Sequence, residues 1–131
     1  MGGKLAELRD RTDQLAKQIL DPALLRECFK GSKANPGYGL TWWIKSPMSE
    51  ELIRTADADV TKIWGKVANT DWVPDDVAAA LGAGSQRLYV MPSLKLVVVR
   101  QADDRSGGFH DLEFLSLLLN HSSAAPSTTA N

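Results

Sequence analysis

The feature that most constrains the fold of this chain is a pair of β-prone runs, residues 86–91 and 94–99, joined by Pro92-Ser93. Proline cannot donate a hydrogen bond to a strand ladder, so its place in the connection predicts a β-hairpin. The second run is apolar at nearly every position, which is typical of a strand covered on both faces. We therefore expect this hairpin to form the core of the fold.

A small, glycine-rich segment, Gly82-Ala83-Gly84-Ser85, comes directly before the hairpin. Glycine weakens a strand, and it commonly marks either a bulge or a backbone that a ligand approaches closely. Both interpretations stay open, and the second makes Gly82, Ala83, Gly84 and Ser85 candidate substrate-binding residues. The segment does not predict a phosphate-binding loop, because it lacks the third glycine and opens a strand rather than a helix.

Most of the remaining chain has helical patterns. In the first segment one stripe is apolar, which predicts an amphipathic helix that covers a sheet or contacts a partner helix; its residues are Leu5, Leu8, Leu15, Ile19 and Leu20. The predicted helices are residues 4–20, 22–29, 49–67, 74–80 and 110–120. An aromatic, β-prone segment, 38–45, predicts a further strand. The Ser/Thr/Ala-rich residues 121–131 are expected to be a disordered tail.

Composition excludes several classes of function. The chain has 131 residues, 44% of them hydrophobic and 24% charged, which is typical of one globular domain or part of one. Its net charge of −1 provides no basic surface for nucleic acid or an anionic membrane, and no apolar stretch is long enough to span a bilayer. With one cysteine, Cys28, and two separated histidines, His110 and His121, we expect no disulfide, metal or other cofactor.

Three blocks of sequence together resemble a known family. They are YGLTWW (38–43), GAGSQRLYVMPSLKLVVVRQ (82–101) and FHDLEFLSLLL (109–119). In this order and spacing they are similar to the C-terminal third of the β-lactamase-related serine hydrolases, which include class C β-lactamases, D-alanyl-D-alanine carboxypeptidases, esterases and 6-aminohexanoate-dimer hydrolases. The resemblance covers about residues 20–120. It implies an α+β fold with an antiparallel sheet flanked by helices, of which residues 1–120 would form the C-terminal part.

The resemblance also implies the position of a substrate cleft. The family's third motif, often Lys-Thr-Gly or His-Thr-Gly, falls on Ala80-Leu81-Gly82, where only Gly82 matches. Because Ala80 replaces the cationic or imidazole residue, that side chain cannot recognise a substrate carboxylate. The family's oxyanion hole uses the backbone amide after the glycine, here that of Ala83, and a backbone donor survives a change of side chain. Residues 82–85 would then form the sheet-side wall of a cleft for a small acyl substrate.

The family's nucleophile motif, Ser-x-x-Lys, and its Tyr-x-Asn motif occur nowhere in the chain. Serine acyl transfer requires an activated nucleophile with a base in reach, so we expect this chain to be inactive alone. One hypothesis is therefore the C-terminal part of a serine hydrolase, whose partner is the missing N-terminal part of the same fold. The alternative is a non-catalytic binding or assembly module that uses helix 5–20 to contact a second copy or another partner.

Two further expectations follow from the same residues. In the family, strands from the N-terminal end pair beside the last strand, here 94–101, and without them this strand is an open edge. Many relatives are exported, but the N-terminus shown here has no signal-peptide pattern, so the sequence assigns no compartment. A third hypothesis, which we rank last, is an enzyme that uses Cys28 or Ser85 with an unrelated base.

Overall fold

A computed structural model of the chain describes residues 19–102 and 108–119. At its centre is a four-stranded antiparallel sheet with the strand order β1-β2-β3-β4. The strands are β1 (Trp43–Ile44), β2 (Ala78–Gly82), β3 (Gln86–Met91) and β4 (Leu96–Arg100). The helices are α1 (Pro22–Glu27), α2 (Glu50–Thr55), α3 (Asp59–Ala68) and α4 (Asp111–Leu118). The predicted α+β class, an antiparallel sheet with helices, is therefore confirmed.

The hairpin predicted around Pro92 is also confirmed. Strands β3 and β4 pair antiparallel in the register Val90↔Val97 and Leu88↔Val99. Their connection is the 3₁₀ turn Pro92–Leu94, and proline there costs no ladder hydrogen bond. Strand β4 is an edge strand within the part of the chain that the structure describes, as the sequence led us to expect.

The prediction that β4 is covered on both faces is wrong for the described residues. Leu96 and Val98 pack against the buried core. On the other face of the same strand, Val97 and Val99 are 61% and 63% exposed. Side chains alternate between the faces of a strand, so an apolar run places valines on both faces whether or not both are covered.

The predicted helix 74–80 is also wrong, because its second half belongs to a strand. After Pro74 the chain makes only a turn, in which the Val77 amide donates to the Pro74 carbonyl. Ala78 and Ala79 then pair with β1 on one side and β3 on the other. Alanine favours helices by less than about 1 kcal/mol per residue. Here that preference is outweighed by two strand neighbours and by burial, since Ala79 is fully buried.

Other boundaries differ from the prediction in smaller ways. The strand expected at 38–45 is reduced to β1 and an isolated bridge between Tyr38 and Trp43. The helix expected at 49–67 is divided into α2 and α3, because Ala56 and Ala58 take extended conformations. Helix α1 ends earlier than expected, and Ile19 and Leu20 are not helical. Residues 4–18 of the predicted first helix and the predicted tail 121–131 lie outside the described residues.

The core lies between helices α3 and α4 and one face of the sheet, which we call the inner face (Trp43, Leu81, Ala79, Tyr89, Arg87 and Val98). Trp64 of α3 is fully buried, and its indole Nε1 donates to the Ile44 carbonyl at 2.8 Å. Leu115 of α4 is also fully buried, and the Phe114 ring stacks on Tyr89 with ring centres 5.8 Å apart. Both helices are thus attached to the inner face, on the side where the candidate site lies.

Candidate functional site

A cavity of about 400 Å³ lies on the inner face beside the end of β2. Of the four residues that the sequence singled out, Gly82, Ala83 and Ser85 line this cavity, whereas Gly84 does not. The other lining residues are mainly apolar or aromatic: Tyr38, Trp43, Val60, Ile63, Leu81 and Arg87. A concave, mostly apolar site with a few polar groups is the usual form of a small-molecule pocket.

Residues 82–85 connect β2 to β3 instead of opening a strand. Gly82 is the last residue of β2 and pairs with Gln86, and Ala83–Ser85 form a 3₁₀ turn between them. Gly84 has a φ of 64°, which glycine adopts without the steric cost of a Cβ. The glycine at position 84 is therefore explained by the turn itself, and Gly82, Ala83 and Ser85 are the residues of the segment that line the cavity.

Two arginines bind the carbonyl groups of this turn. One terminal nitrogen of Arg87, Nη1, donates to the carbonyls of Gly82 and Gln86, at 3.2 and 2.9 Å. Arg100 donates to the Ser85 carbonyl at 2.5 Å. In a trans peptide the C=O and the following N–H point in opposite directions. By fixing the Gly82 carbonyl, Arg87 therefore also fixes the direction in which the Ala83 N–H points.

Arg87 is itself fixed by a buried carboxylate, Asp111, in the first turn of α4. Its Nε and Nη2 donate to the two oxygens of Asp111 at 2.7 and 3.1 Å, and the Tyr89 hydroxyl donates to one of them at 2.5 Å. All three residues are buried, with Asp111 2% and Tyr89 0% exposed. This bidentate geometry, with two nearly parallel N–H···O bonds, is the strongest form of an arginine–carboxylate pair. This network joins α4 to the turn beside the cavity.

The network changes the proton affinity of two of its members. Burial lowers the pKa of the Arg87 guanidinium, but the hydrogen bond and charge of Asp111 outweigh burial and raise it overall. Burial, followed by the hydrogen bond and charge of Asp111, raises the pKa of the Tyr89 hydroxyl well above its usual value. At neutral pH Tyr89 is therefore a neutral donor and Arg87 a permanent cation, the states that suit the Asp111 carboxylate.

The aromatic ring of Phe109 contacts the guanidinium groups of both arginines. Its ring centre lies 4.2 Å from the guanidinium carbon of Arg100 and 5.4 Å from that of Arg87. Cations over an aromatic face are attracted by the electron density of the ring. The residues just before α4 thus hold the two arginines in the positions from which they contact the turn.

Sequence reasoning missed this network entirely. Arg87 and Tyr89 are two residues apart in a strand, so they share a face, and that face is the buried one. Two polar side chains on the buried face of a strand require a polar partner, which was the available signal. The partner, Asp111, is 24 residues away from Arg87, and no local pattern identifies it.

We predict that Tyr89→Phe lowers the free energy of unfolding by about 1–3 kcal/mol at neutral pH, because the buried Asp111 loses one donor. The variant should also change the pH dependence. In the unfolded chain Tyr89 loses its proton near pH 10, whereas in the folded chain its pKa is higher. The stability contributed by the hydroxyl is thus complete below about pH 10 and is lost as pH rises above it.

Urea unfolding of both proteins at neutral and alkaline pH checks this prediction. The difference between wild type and Tyr89→Phe should shrink as the pH rises above about 10. Tyr38→Phe is the matched control, since Tyr38 is 39% exposed and should change neither value. If the difference in unfolding free energy between the two proteins stays constant or grows with pH, the raised pKa of the Tyr89 hydroxyl is contradicted.

The two residues proposed as nucleophiles of an unrelated enzyme are poorly placed for that chemistry. The Cys28 thiol lies 3.8 Å from the Leu24 carbonyl. Within residues 19–102 and 108–119, neither Cys28 nor Ser85 has a side-chain hydrogen bond to a histidine, aspartate or glutamate. An activated nucleophile needs such a base in reach. The third hypothesis therefore gains no support.

A larger cavity, about 690 Å³, lies between α3 and α4. Its polar lining includes the exposed Lys66, His110 and Glu113 and also the buried Asp111. No residue that the sequence singled out as substrate-binding lies there. Among the described residues, no group of three or more His, Cys, Asp or Glu side chains is placed to hold a metal ion.

Comparison with known proteins identifies no relative: no family model matches the chain, and no curated protein or solved structure is significantly similar to it. In residues 19–102 and 108–119, none of the helices has the length and apolar character needed to cross a membrane. The function is therefore inferred from the residues and their geometry.

Proposed function

We propose that this chain supplies the sheet-side part of the active site of a β-lactamase-related serine hydrolase. One observation carries the proposal: the three sequence blocks that resemble this family converge on one place. Tyr38 and Trp43 of the first block and Gly82, Ala83 and Ser85 of the second line the same cavity. The third block contributes Asp111 and Phe109, which contact Arg87 at the cavity wall.

In this proposal the Ala83 amide is one donor of an oxyanion hole. When a serine oxygen bonds to the carbonyl carbon of an ester, amide or β-lactam, the negative charge develops on the carbonyl oxygen. A backbone N–H already aimed at that oxygen stabilises it without reorganising. Arg87 acts as a positioning residue, because it holds the Gly82 carbonyl at 3.2 Å and thereby the peptide that carries the Ala83 N–H.

The serine and its base come from elsewhere, since Ser-x-x-Lys and Tyr-x-Asn are absent from the sequence. In the complete active site, the base takes the serine proton as the acyl bond forms and returns it to the leaving group. Water then attacks the acyl-enzyme and regenerates the serine. The chain shown here contributes the wall and one donor, and we expect no turnover from it alone.

Amide hydrogen exchange, measured by NMR on the full chain, tests the proposal at its central atom. An amide that serves an oxyanion faces the cavity and has no partner in the ladder. Its exchange at Ala83 is therefore expected to be on the order of a thousand times faster than at Tyr89, in the middle of β3. Protection of Ala83 equal to that of Tyr89 would show that this N–H is not available to a substrate and would overturn the proposal.

Treatment of the same sample with a fluorophosphonate probe completes the test. The intact mass is expected to stay unmodified, because among the described residues neither Cys28 nor Ser85 has a side-chain hydrogen bond to a histidine, aspartate or glutamate that could act as its base. A complete serine hydrolase in the same reaction is the positive control. A stoichiometric adduct that disappears in Ser85→Ala would contradict the proposal, since it would place the nucleophile on the wall itself.

A further inference from the structure

The face of the sheet opposite the inner face is apolar across all four strands. We call it the outer face, and its residues are Ile44, Ala78, Ala80, Leu88, Val90, Val97 and Val99. The strand register places them in two rows. Ile44, Ala78, Val90 and Val97 form one row, and Ala80, Leu88 and Val99 form the other.

The described residues cover only one side of this outer face. On the β1 side, Phe29 lines a cavity of about 260 Å³ together with three residues of this face, Ile44, Ala78 and Val90. There Ala78 is only 5% exposed. On the β4 side, Val97 and Val99 are more than half exposed. These exposed valines continue the apolar face of the sheet, and a contiguous exposed apolar patch commonly marks an interaction surface.

The first described residues lead to this surface, since Phe29 lines the cavity beside it. Phe29 follows α1 by two residues, and α1 has no buried residue. The apolar side chains that lead into it are exposed, with Ile19 at 86%, Leu20 at 60% and Leu24 at 70%. The apolar character therefore continues from the outer face along the chain toward the N-terminus.

We propose that residues 5–18 dock across the outer face and cover Val97 and Val99. In the sequence, Leu5, Leu8 and Leu15 lie at helical spacing on one stripe. A helix of residues 4–18 would be about 22 Å long. Three strand spacings, from β1 to β4, amount to about 14 Å, so the segment is long enough to cross the sheet.

The segment of the same chain is a better occupant than a second copy. Only residues 19–28 separate it from Phe29, which lines a cavity together with residues of the outer face. A short tether holds a segment near its site at an effective concentration on the order of millimolar. A second copy at ordinary protein concentration competes poorly with that. The inference is independent of the proposed hydrolase function, because it concerns the opposite side of the sheet.

Thiol alkylation on the full chain tests the docking. Val99→Cys is made in a Cys28→Ser background, so that one thiol is present, and its rate with iodoacetamide is compared with that of Glu113→Cys, an exposed position on α4. A covered thiol reacts only when the cover opens. The Val99→Cys thiol is expected to react at least about ten-fold more slowly than the Glu113→Cys thiol. The double substitution Leu8→Asp with Leu15→Asp should remove this protection.

Ala6→Asp with Gln14→Asp is the matched control, because it adds the same two charges on the opposite side of the predicted helix. It should leave the protection intact. Reaction of the Val99→Cys thiol as fast as that of Glu113→Cys would overturn the proposal. So would protection that survives Leu8→Asp with Leu15→Asp or that is lost in the control. Protection that disappears on dilution would overturn it in favour of a second copy.

Discussion

Replacing Asp111 with alanine is expected to lower the free energy of unfolding by about 3–5 kcal/mol. The substitution leaves the Arg87 guanidinium buried without its carboxylate and the Tyr89 hydroxyl without an acceptor. A buried ion pair adds little net stability over an apolar pair, but removing one partner leaves an uncompensated charge in a medium that solvates it poorly. The loss should therefore be much larger than the modest contribution of a surface pair.

Urea unfolding, followed by tryptophan fluorescence, measures this effect. Glu113→Ala is the matched control: it removes the same charge from the first turn of the same helix, but Glu113 is exposed and should change stability by less than about 0.5 kcal/mol. Asp111→Asn keeps the shape and one acceptor oxygen, so it should lie between the two. A loss below about 1 kcal/mol in Asp111→Ala would show that Arg87 finds another partner.

The same variant has a second expected effect, at the cavity. Asp111 binds the same guanidinium through which Arg87 holds the Gly82 carbonyl, so we expect the loss of its charge to move that guanidinium. In Asp111→Asn, where the fold is retained, the amide resonance of Ala83 should therefore shift, although Asp111 does not line this cavity. Glu113→Ala should leave that resonance unchanged. The free energy of unfolding reports the contribution of the network to the core, and the shift of the Ala83 amide resonance reports its effect on the turn. Measuring both therefore distinguishes the two roles.

Replacing Trp64 with alanine is expected to cost about 3–5 kcal/mol, the other large effect in this chain. Trp64 is fully buried in α3, and it is the largest of the fully buried side chains. Its removal would leave a cavity between α3 and the sheet, and it would leave the Ile44 carbonyl without the indole donor. Both losses act on the attachment of α3 to the first strand.

Far-UV circular dichroism in urea measures this loss without relying on the tryptophan that is removed. Trp64→Phe keeps most of the buried volume and removes the hydrogen bond, so it should cost clearly less than Trp64→Ala. Ile63→Ala, at the neighbouring position of the same helix, is the matched control, because Ile63 is 37% exposed. Equal effects of Trp64→Ala and Ile63→Ala would contradict the placement of Trp64 in the core.

The sequence predicts those parts of the fold that depend on neighbouring residues. The hairpin of β3 and β4 follows from alternating apolar residues and from Pro92 in the connection, and the start of α1 follows from Asp21, which caps the amides of Ala23 and Leu24. Strand β2 was missed, because a run of alanines has no strand preference and becomes a strand only between two others.

The candidate site also has a part that neighbouring residues predict and a part that depends on tertiary packing. Glycine in a β-rich context drew attention to Gly82 and Ala83, and both line the cavity. The side chains that control this turn were not found, because Arg87 and Asp111 belong to different elements and meet only after the sheet and α4 pack together. A local sequence pattern indicates where the backbone turns. Which side chains bind that turn depends on tertiary contacts, which the local pattern does not contain.

The binding of the turn carbonyls by two arginines has a consequence for mutational scanning. If Ala83 acts through its main-chain N–H, exchanging the side chains of Ala83 or Ser85 leaves the functional atom in place. A scan of single substitutions would then rate the cavity wall as tolerant. It would rate Arg87, which binds the Gly82 carbonyl, and Asp111, which binds Arg87, as intolerant. The positions most sensitive to substitution would then be those that hold the peptide, and not the residue whose N–H takes part in the chemistry.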